Sequence, residues 1–307
     1  MGSILSDNVA FCHMSPLNEP TLAAGDMLFT KAHREQLQRD GFTRVAGVIP
    51  TESTNNLLSA LKEVSSIDYA DPATWYLLPE SYPGIIPSHH HQCQWDIRQH
   101  PRLHRVFSEL WGTRDLWVTM DRIGFVPPLR PTDIDGCSLH WDMDPRGEPI
   151  YQAIVYLTEV GPERAPFSVA PRVFQHLQEW LARMPEKLDF TCADFSSEER
   201  IPVLGQAGDL IIWNSKLPHG PGVNRDSSPR VMQAVTMFPP SKATWTREEQ
   251  IGWWRAKRAP PWWRDVPGQV DPEPGAPAAL TETGQRLVGL KDWEEMVAAD
   301  GVEPPAP

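Results

Sequence analysis

Proline is the residue type that most restricts how this chain can fold. The chain has 32 prolines among 307 residues, and each proline lacks a backbone donor and ends or kinks a helix unless it lies in the first turn. This composition disfavours long uninterrupted helices and favours short strands joined by many loops. The sequence therefore predicts an all-β or a mixed β fold.

A series of short apolar runs separated by turn residues begins at Leu116 and supports this prediction. About eight candidate strands in such a series are typical of a barrel or a sandwich, here interrupted by an inserted helix at about Val173 to Arg183. The runs lie at 116–125, 137–142, 151–158, 166–170, 201–204, 209–213, 217–223 and 230–238.

Three amphipathic helices and one strand are predicted ahead of these runs, because the chain there combines helical apolar spacing with capping residues. The predicted elements are a helix from Thr30 to Gly41, a strand at 42–45, a helix from Pro50 to about Ser65, loop-like chain at 66–95 and a helix from about His100 to Trp111.

One domain is expected to include most of the chain. We expect a flexible segment at 1–25, a single domain at 26–293 with its barrel core at about 116–240, and a flexible tail at 294–307. Six of the 13 tryptophans lie at 241–293, and bulky apolar side chains in water risk aggregation. This Trp-rich extension is therefore expected to pack on the barrel.

The charge balance argues against nucleic acid and membranes as partners. Forty acidic residues against 28 Lys and Arg give a net charge of -12 without a basic patch, and such a chain repels anionic surfaces. No apolar run approaches the roughly 18 residues of a membrane helix. The segment from Met1 to Ala24 also lacks the basic start and apolar run of a secretory signal. A cytoplasmic protein is expected.

The cysteines argue against a cysteine-based site. Cys12, Cys93, Cys137 and Cys192 lie far apart without a CxxC pair. A zinc knuckle, a redox dithiol and a dense disulfide framework all require closer spacing. The thiols are expected to be reduced.

Two segments carry candidate chemistry. His140 and Asp142 flank Trp141 in a predicted strand, where residues i and i+2 project from the same face and can bind one metal ion. His219 follows 79 residues after His140. Two histidines and one carboxylate leave about three positions open on octahedral Fe(II), as oxygenases require. Arg230 could return along the neighbouring strand to bind a ligand carboxylate through two hydrogen bonds.

This arrangement resembles the phytanoyl-CoA dioxygenase family of Fe(II)/2-oxoglutarate-dependent oxygenases. The family's His-x-Asp looks like His140 and Asp142, its distal histidine like His219, and its cosubstrate arginine like Arg230. The stretch Leu37-Gln-Arg-Asp-Gly-Phe is also similar to the family's N-terminal helix and its Asp-Gly-Phe turn. The resemblance extends over roughly residues 28–240.

The resemblance implies a fold and a reaction. The implied fold is mainly β with flanking helices, built on a double-stranded β-helix, which is a jelly-roll, cupin-like barrel. The three metal ligands would bind Fe(II), and Arg230 would bind 2-oxoglutarate with help from Thr119 or Ser138. O2 and 2-oxoglutarate would be consumed with release of succinate and CO2. A small-molecule substrate would be oxidised, by hydroxylation or else by desaturation or ring closure.

The chain departs from the family pattern in the loop that follows the third barrel strand. The segment from Ala165 to Gln175 lacks the family's Gly-x-Leu and Pro-Gly-Ser-His. Because that loop borders the substrate in the family, its change bears on substrate identity. No cluster of Lys and Arg suits the phosphates of coenzyme A, so an acyl-CoA substrate is not implied.

Other functions remain open at this point. The same ligands could hold Fe(II) or Zn in a barrel enzyme that does not use 2-oxoglutarate, such as an isomerase, a ring-cleaving dioxygenase or a hydrolase. A non-catalytic ligand-binding barrel is a further alternative. An oligomer is possible but not indicated by the sequence.

Two local features also admit more than one interpretation. His89-His90-His91 is interpreted as a solvated loop, with a role at the substrate entrance as the alternative. Asp121 and Arg122 are expected to form an ion pair, with a substrate-facing Arg122 as the alternative.

Overall fold

The computed structural model describes residues 27–78, 84–131, 139–184, 190 and 193–293. The predicted flexible segments at 1–25 and 294–307 fall outside these residues. The strands are β1 Phe42–Val45, β2 Ile85–Ile86, β3 Trp117–Val118, β4 Ile123–Val126, β5 Tyr151–Tyr156, β6 Phe167–Val169, β7 Ile201–Val203, β8 Leu210–Asn214, β9 His219–Pro221, β10 Arg230–Ala234 and β11 Met237–Phe238.

The helices are short, as the proline content predicts. In the described ranges, none is both long enough and apolar enough to cross a bilayer. The helices are α1 Lys31–Asp40, α2 Thr51–Val64, α3 Gln92–Arg98, α4 Pro101–Trp111, α5 Pro171–Gln175, α6 Leu177–Leu181, α7 Arg247–Ala256 and α8 Glu282–Val288.

Local capping explains why the early helices begin and end where the sequence predicts. The Thr30 hydroxyl accepts from the His33 amide at the start of α1, and Gly41 ends this helix with φ of 79°, a conformation that glycine adopts without a Cβ clash. The predictions of α1, β1, α2 and α4 are confirmed.

Two predictions of local structure are wrong. The stretch 66–95 is not all loop, because it contains β2 and the start of α3. The helix predicted from Val173 to Arg183 is two helices, α5 and α6, which meet at His176 with φ of -115°. That angle lies outside the helical range, so it breaks the helix.

The described strands form three antiparallel sheets. The largest has six strands in the order β1-β8-β5-β10-β4-β2, a second has the order β7-β6-β9, and β11 pairs with β3. These strands do not close into a barrel within the described ranges. The fold that they form is a mixture of helices and antiparallel sheets.

The large sheet is apolar on both faces. Successive side chains of β8 point to opposite faces, and each face packs against a different part of the protein. Leu210 and Ile212 pack with the helices in the main core, whereas Ile211 and Trp213 pack with Phe167 of the smaller sheet. The rings of Phe167 and Trp213 lie 4.6 Å apart. We call the second face, which packs on the smaller sheet, the inner face.

The C-terminal segment contacts both sides of the large sheet. Trp253 of α7 and Leu287 of α8 belong to the core on the helix side. Trp263, which follows α7, instead stacks on Arg122, with the guanidinium carbon 3.4 Å from the ring centroid. Arg122 precedes Ile123, whose side chain faces the helices, so alternation places Arg122 toward the inner face. The segment therefore passes around the end of β4.

Candidate metal centre

Three side chains converge at one end of the smaller sheet. His219 is the first residue of β9, and His140 pairs with it in an isolated antiparallel bridge. The two residues exchange backbone hydrogen bonds of 2.9 and 3.0 Å. Of the strand predicted at 137–142, the described part therefore contributes only this bridge. It nevertheless holds the two imidazole rings with their centroids 4.9 Å apart.

The separations between these side chains fit a single metal ion. Asp142 Oδ1 lies 3.4 Å from His140 Nε2, and Asp142 Oδ2 lies 3.2 Å from His219 Nε2. Candidate ligand atoms of all three residues lie within 4.8 Å of one another. Adjacent ligands at about 2.1 Å from a metal are roughly 3.0 Å apart in an octahedral arrangement. The three residues can therefore occupy one face of an octahedron.

The protonation states also suit a metal. Burial alone would raise the pKa of Asp142, but hydrogen bonds from His140 and His219 outweigh it and hold this pKa well below its usual range. The carboxylate is therefore ionised at neutral pH. His219 Nδ1 lies 3.0 Å from the Leu217 carbonyl oxygen, to which only a protonated nitrogen can donate. This bond orients the ring so that Nε2 faces Asp142, and a bound metal ion would take the place of the Nε2 proton that hydrogen-bonds to Asp142 in its absence.

The site is closed on one side and open on the other. The His219 ring lies 4.9 Å from Trp213 and 5.6 Å from Phe167, and its side chain is only 5% exposed. In contrast, the side chains of His140 and Asp142 are 34% and 42% exposed. Further ligands can therefore approach a bound metal from the side of His140 and Asp142.

Arg230 begins β10 and lies deep in the protein. It is 2% exposed. It shares the inner face with Met232 and Ala234, because every second residue of a strand points to the same face. Its Nε donates to the Ala165 carbonyl oxygen at 2.9 Å. Burial raises the pKa of the neighbouring Tyr156 to about 12, against the opposing charge of Arg230.

Ala165, whose carbonyl oxygen accepts from Arg230, has an unusual backbone conformation. It is fully buried with φ of 41°, in the left-handed region that non-glycine residues adopt at a cost of roughly 1–2 kcal/mol. The loop thus keeps a backbone conformation suited to glycine while presenting its carbonyl to Arg230.

Of the two remaining predicted cofactor contacts, only Thr119 lies in the described residues, and it does not lie beside Arg230. The Thr119 hydroxyl accepts from the Thr236 amide at 3.0 Å, beyond the opposite end of β10. Thr119 is thus separated from Arg230 by the length of that strand. Ser138 lies outside the described residues.

One residue that the sequence analysis did not identify contacts the site directly. Gln152, on the inner face of β5, donates from Nε2 to Asp142 Oδ2 at 2.7 Å. The available signal was a polar residue at an inward position, two residues before the buried Ile154. It could be recognised only once the strand and its facing were known.

The histidine run has a different role from the one predicted. His89 and His90 are almost fully buried, so the interpretation as a solvated loop is wrong. Their backbone amides donate to the Glu273 carboxylate at 2.6 and 3.2 Å, and burial raises the pKa of Glu273 to about 7. These contacts connect the C-terminal segment to the chain that precedes α3.

The acidic and basic pair at the start of β4 is present. Asp121 Oδ1 lies 3.6 Å from Arg122 Nε. Arg122 also stacks under Trp263 and points toward the inner face. The ion pair is therefore compatible with the alternative in which Arg122 faces the substrate.

Comparison with known proteins gives a family match for most of the described chain. The model of the phytanoyl-CoA dioxygenase (PhyH) family matches residues 37–232. A candidate phytanoyl-CoA dioxygenase of Dictyostelium discoideum is 22% identical over 261 residues, which cover 67% of this chain and 75% of that protein.

Two solved structures share the fold. A hypothetical protein of Escherichia coli is 18% identical with a TM-score of 0.58, covering 85% of this chain and 82% of that one. The non-heme alpha-ketoglutarate-dependent epimerase SnoN of nogalamycin biosynthesis is 19% identical with a TM-score of 0.50, covering 81% of this chain and 92% of that one.

Proposed function

Because this chain belongs to the phytanoyl-CoA dioxygenase family, we propose that it hydroxylates a small-molecule substrate. The family match includes the segment from His140 to Arg230. The chain is accordingly an oxidoreductase of the Fe(II)/2-oxoglutarate-dependent type, with Fe(II), 2-oxoglutarate and O2 as its cofactor and cosubstrates. In the proposed reaction, a substrate C–H bond becomes C–OH while 2-oxoglutarate and O2 yield succinate and CO2.

The residues present fit this cofactor set. Two imidazoles and one ionised carboxylate are the donors that non-heme Fe(II) oxygenases use. Trp213 Nε1 and Gln152 Oε1 are also buried without a hydrogen-bond partner among the described residues, and they lie next to His219 and Asp142. Unpaired buried polar atoms are costly in a protein interior, so their presence here favours a ligand-binding site.

The single observation that carries the proposal is the convergence of His140, Asp142 and His219 on an open face, combined with a buried arginine on the same inner surface. The three ligands would hold Fe(II), which would activate O2 together with 2-oxoglutarate for oxidation of the C–H bond. Arg230 would anchor the distal carboxylate of 2-oxoglutarate, and its buried fork would fix the orientation of that cosubstrate.

The protein side chains provide position and exclude water. His219 is shielded by Phe167 and Trp213, which restrict solvent on that side. The half-exposed side of the centre is left for the substrate. A hydrolase that uses the same ligands would have no function for a buried arginine at the position of Arg230.

We also propose the architecture and the domain organisation that the family implies. The inner face of the large sheet packs on the smaller sheet through Phe167 and Trp213, and His140 extends the smaller sheet beyond β9. This pairing of two antiparallel sheets supports a double-stranded β-helix. Contacts of Trp253 and Leu287 with the main core support a single domain at 26–293 that includes the Trp-rich extension.

The substrate would bind between the metal and the pair formed by Arg122 and Trp263. Both side chains lie at the start of β4. The Ala234 amide donates to the Arg122 carbonyl oxygen, and Ala234 pairs with Ile154 of β5. Arg122 is therefore two strands away from Ile154, the residue two positions after Gln152. Trp263 comes from the segment beyond the family match, so the family match does not account for this wall.

Turnover of 2-oxoglutarate tests the proposed reaction. Protein loaded with Fe(II) should release labelled CO2 from 2-oxoglutarate labelled at the 1-carboxylate, and a panel of metabolites should reveal the substrate by stimulating that release and gaining one hydroxyl. Zn-loaded protein is the control and should release none. Substrate conversion without succinate formation, or with Zn alone, would contradict the proposal.

A further inference from the structure

Asp142 is not held in place by a strand, so a group from a neighbouring element would help to fix its orientation. It follows the single bridge at His140 and lies in a bend rather than in a strand, so no backbone ladder holds it. Its side chain is 42% exposed. The carboxylate must nevertheless face two imidazoles at once if it is to complete the facial ligand set.

Gln152 supplies such a group from a rigid position. It lies on β5, which is flanked by β8 and β10 in the large sheet, and its Cα is paired with that of Trp213. The 2.7 Å hydrogen bond from Gln152 Nε2 to Asp142 Oδ2 therefore connects the bend that carries Asp142 to the centre of the sheet. Metal-ligating carboxylates are characteristically oriented by hydrogen bonds of this kind.

The orientation of the Gln152 amide follows from the charge of Asp142. An ionised carboxylate can only accept hydrogen bonds, so the NH2 group of the amide must face it. The amide oxygen then points elsewhere and is buried without a partner among the described residues. Leaving a buried acceptor unsatisfied is unfavourable for folding.

An apolar residue would suit this position better if only stability mattered. The next residues on the same face of β5 are Ile154 and Tyr156, which pack in the core of the inner face. A glutamine that keeps one polar atom unpaired is therefore explained by the hydrogen bond that it gives to Asp142.

We propose that Gln152 is a positioning residue that orients the Asp142 carboxylate for metal binding. This inference rests on the proposed function, since it assigns Asp142 as a metal ligand. Loss of a hydrogen bond to a metal ligand typically weakens metal affinity by about 10- to 100-fold. The folded protein without metal should not depend on Gln152 in the same way.

The test compares metal affinity with the stability of the metal-free protein. Mn(II), which resists oxidation, is titrated calorimetrically into the full-length chain, and thermal melting is recorded without metal. Gln152→Leu should weaken Mn(II) binding by about 10- to 100-fold, while the metal-free melting temperature stays the same or rises. Gln152→Met, which keeps the length of the side chain, should behave alike and replaces the leucine variant if that one does not fold.

Gln206→Leu is the matched control, because Gln206 also donates to a carboxylate, that of Glu159 at 3.4 Å, but outside the site. It should bind Mn(II) as the wild type does. Equal Mn(II) affinity in the wild type and both Gln152 variants would overturn the inference and leave the proposed function intact. A fall in metal-free melting temperature as large as that caused by core mutations would also overturn it, because it would indicate a structural role. Wild-type protein that does not bind Mn(II) would instead contradict the proposed function.

Discussion

Replacing Arg230 by lysine should weaken 2-oxoglutarate binding far more than it weakens the fold. Arg230 Nε donates to the Ala165 carbonyl oxygen at 2.9 Å, and the proposed contact with the carboxylate of the cosubstrate would use the terminal nitrogens of the planar guanidinium. Lysine keeps the charge but has a single nitrogen at the end of a flexible chain. It cannot bind that carbonyl and both carboxylate oxygens with the same geometry.

The expected loss is one charge-assisted hydrogen bond, which contributes about 1.5–3 kcal/mol. That range corresponds to a roughly 10- to 150-fold higher dissociation constant for 2-oxoglutarate. The assay is an anaerobic titration of Fe(II)-loaded protein with 2-oxoglutarate, monitored by visible absorption. Fe(II) affinity should remain unchanged, because Arg230 is not among the three converging ligands.

Arg102→Lys is the matched control for this measurement. Arg102 also donates from Nε to a backbone carbonyl, that of Val48 at 3.2 Å, but it lies at the start of α4. It should bind 2-oxoglutarate normally. If the dissociation constant of Arg230→Lys for 2-oxoglutarate were within about threefold of the wild-type value, the change would be smaller than the loss of one charge-assisted hydrogen bond. The assignment of Arg230 would then be wrong.

Three further predictions concern the loop at Ala165, the wall formed by Trp263 and the C-terminal extension. Ala165→Gly should change the free energy of unfolding by less than about 1 kcal/mol, because relief of the left-handed conformation offsets the lost methyl group and the added backbone entropy. Ala170→Gly is the control, because Ala170 has φ of -117° and no relief of strain offsets those losses there. Urea unfolding that showed equal destabilisation of Ala165→Gly and Ala170→Gly would contradict the reasoning. Trp263→Ala should raise KM for the identified substrate severalfold while leaving 2-oxoglutarate affinity unchanged, and a changed 2-oxoglutarate affinity with unchanged KM would refute the proposed wall. Truncation to residues 1–240 should give insoluble or unfolded protein, because buried tryptophans such as Trp253 contribute roughly 3–5 kcal/mol each to stability. The control fragment 1–293 should melt cooperatively. A soluble, iron-binding 1–240 fragment would show that the extension is dispensable.

Features determined by neighbouring residues could be predicted from the sequence. Thr30 and Gly41 bound α1 because capping depends on side chains within one helical turn. The helix α3 was missed because its N-cap is His91, whose ring accepts from the Cys93 amide, and histidine is not among the usual capping residues. Capping rules based on Ser, Thr, Asp and Asn could not detect it.

The convergence of His140, Asp142 and His219 could also be anticipated, although its structural basis was different. The sequence predicted that a strand would place His140 and Asp142 on one face. In the described residues a single bridge to His219 aligns them instead, and the bend after it turns Asp142 toward both imidazoles. The spacing of residue types was informative even though the described part of the predicted strand forms only one bridge.

Contacts between distant parts of the chain could not be predicted. Gln152 lies opposite Trp213 because of the register between β5 and β8, which depends on packing of the whole sheet. The Glu273 carboxylate reaches the amides of His89 and His90 across more than 180 residues. No local pattern indicates such pairs, and both Gln152 and the role of the histidine run were recognised only in the structure.

The most direct measurement of the central hypothesis is the visible spectrum of the anaerobic protein with Fe(II) and 2-oxoglutarate. Chelation of Fe(II) by 2-oxoglutarate in this site should produce a weak metal-to-ligand charge-transfer band that saturates at one 2-oxoglutarate per chain. The band should disappear in His219→Ala, whose fold is checked by circular dichroism. Iron-loaded wild-type protein that shows no band at saturating 2-oxoglutarate, or a band that persists in His219→Ala, would contradict the assignment of this centre.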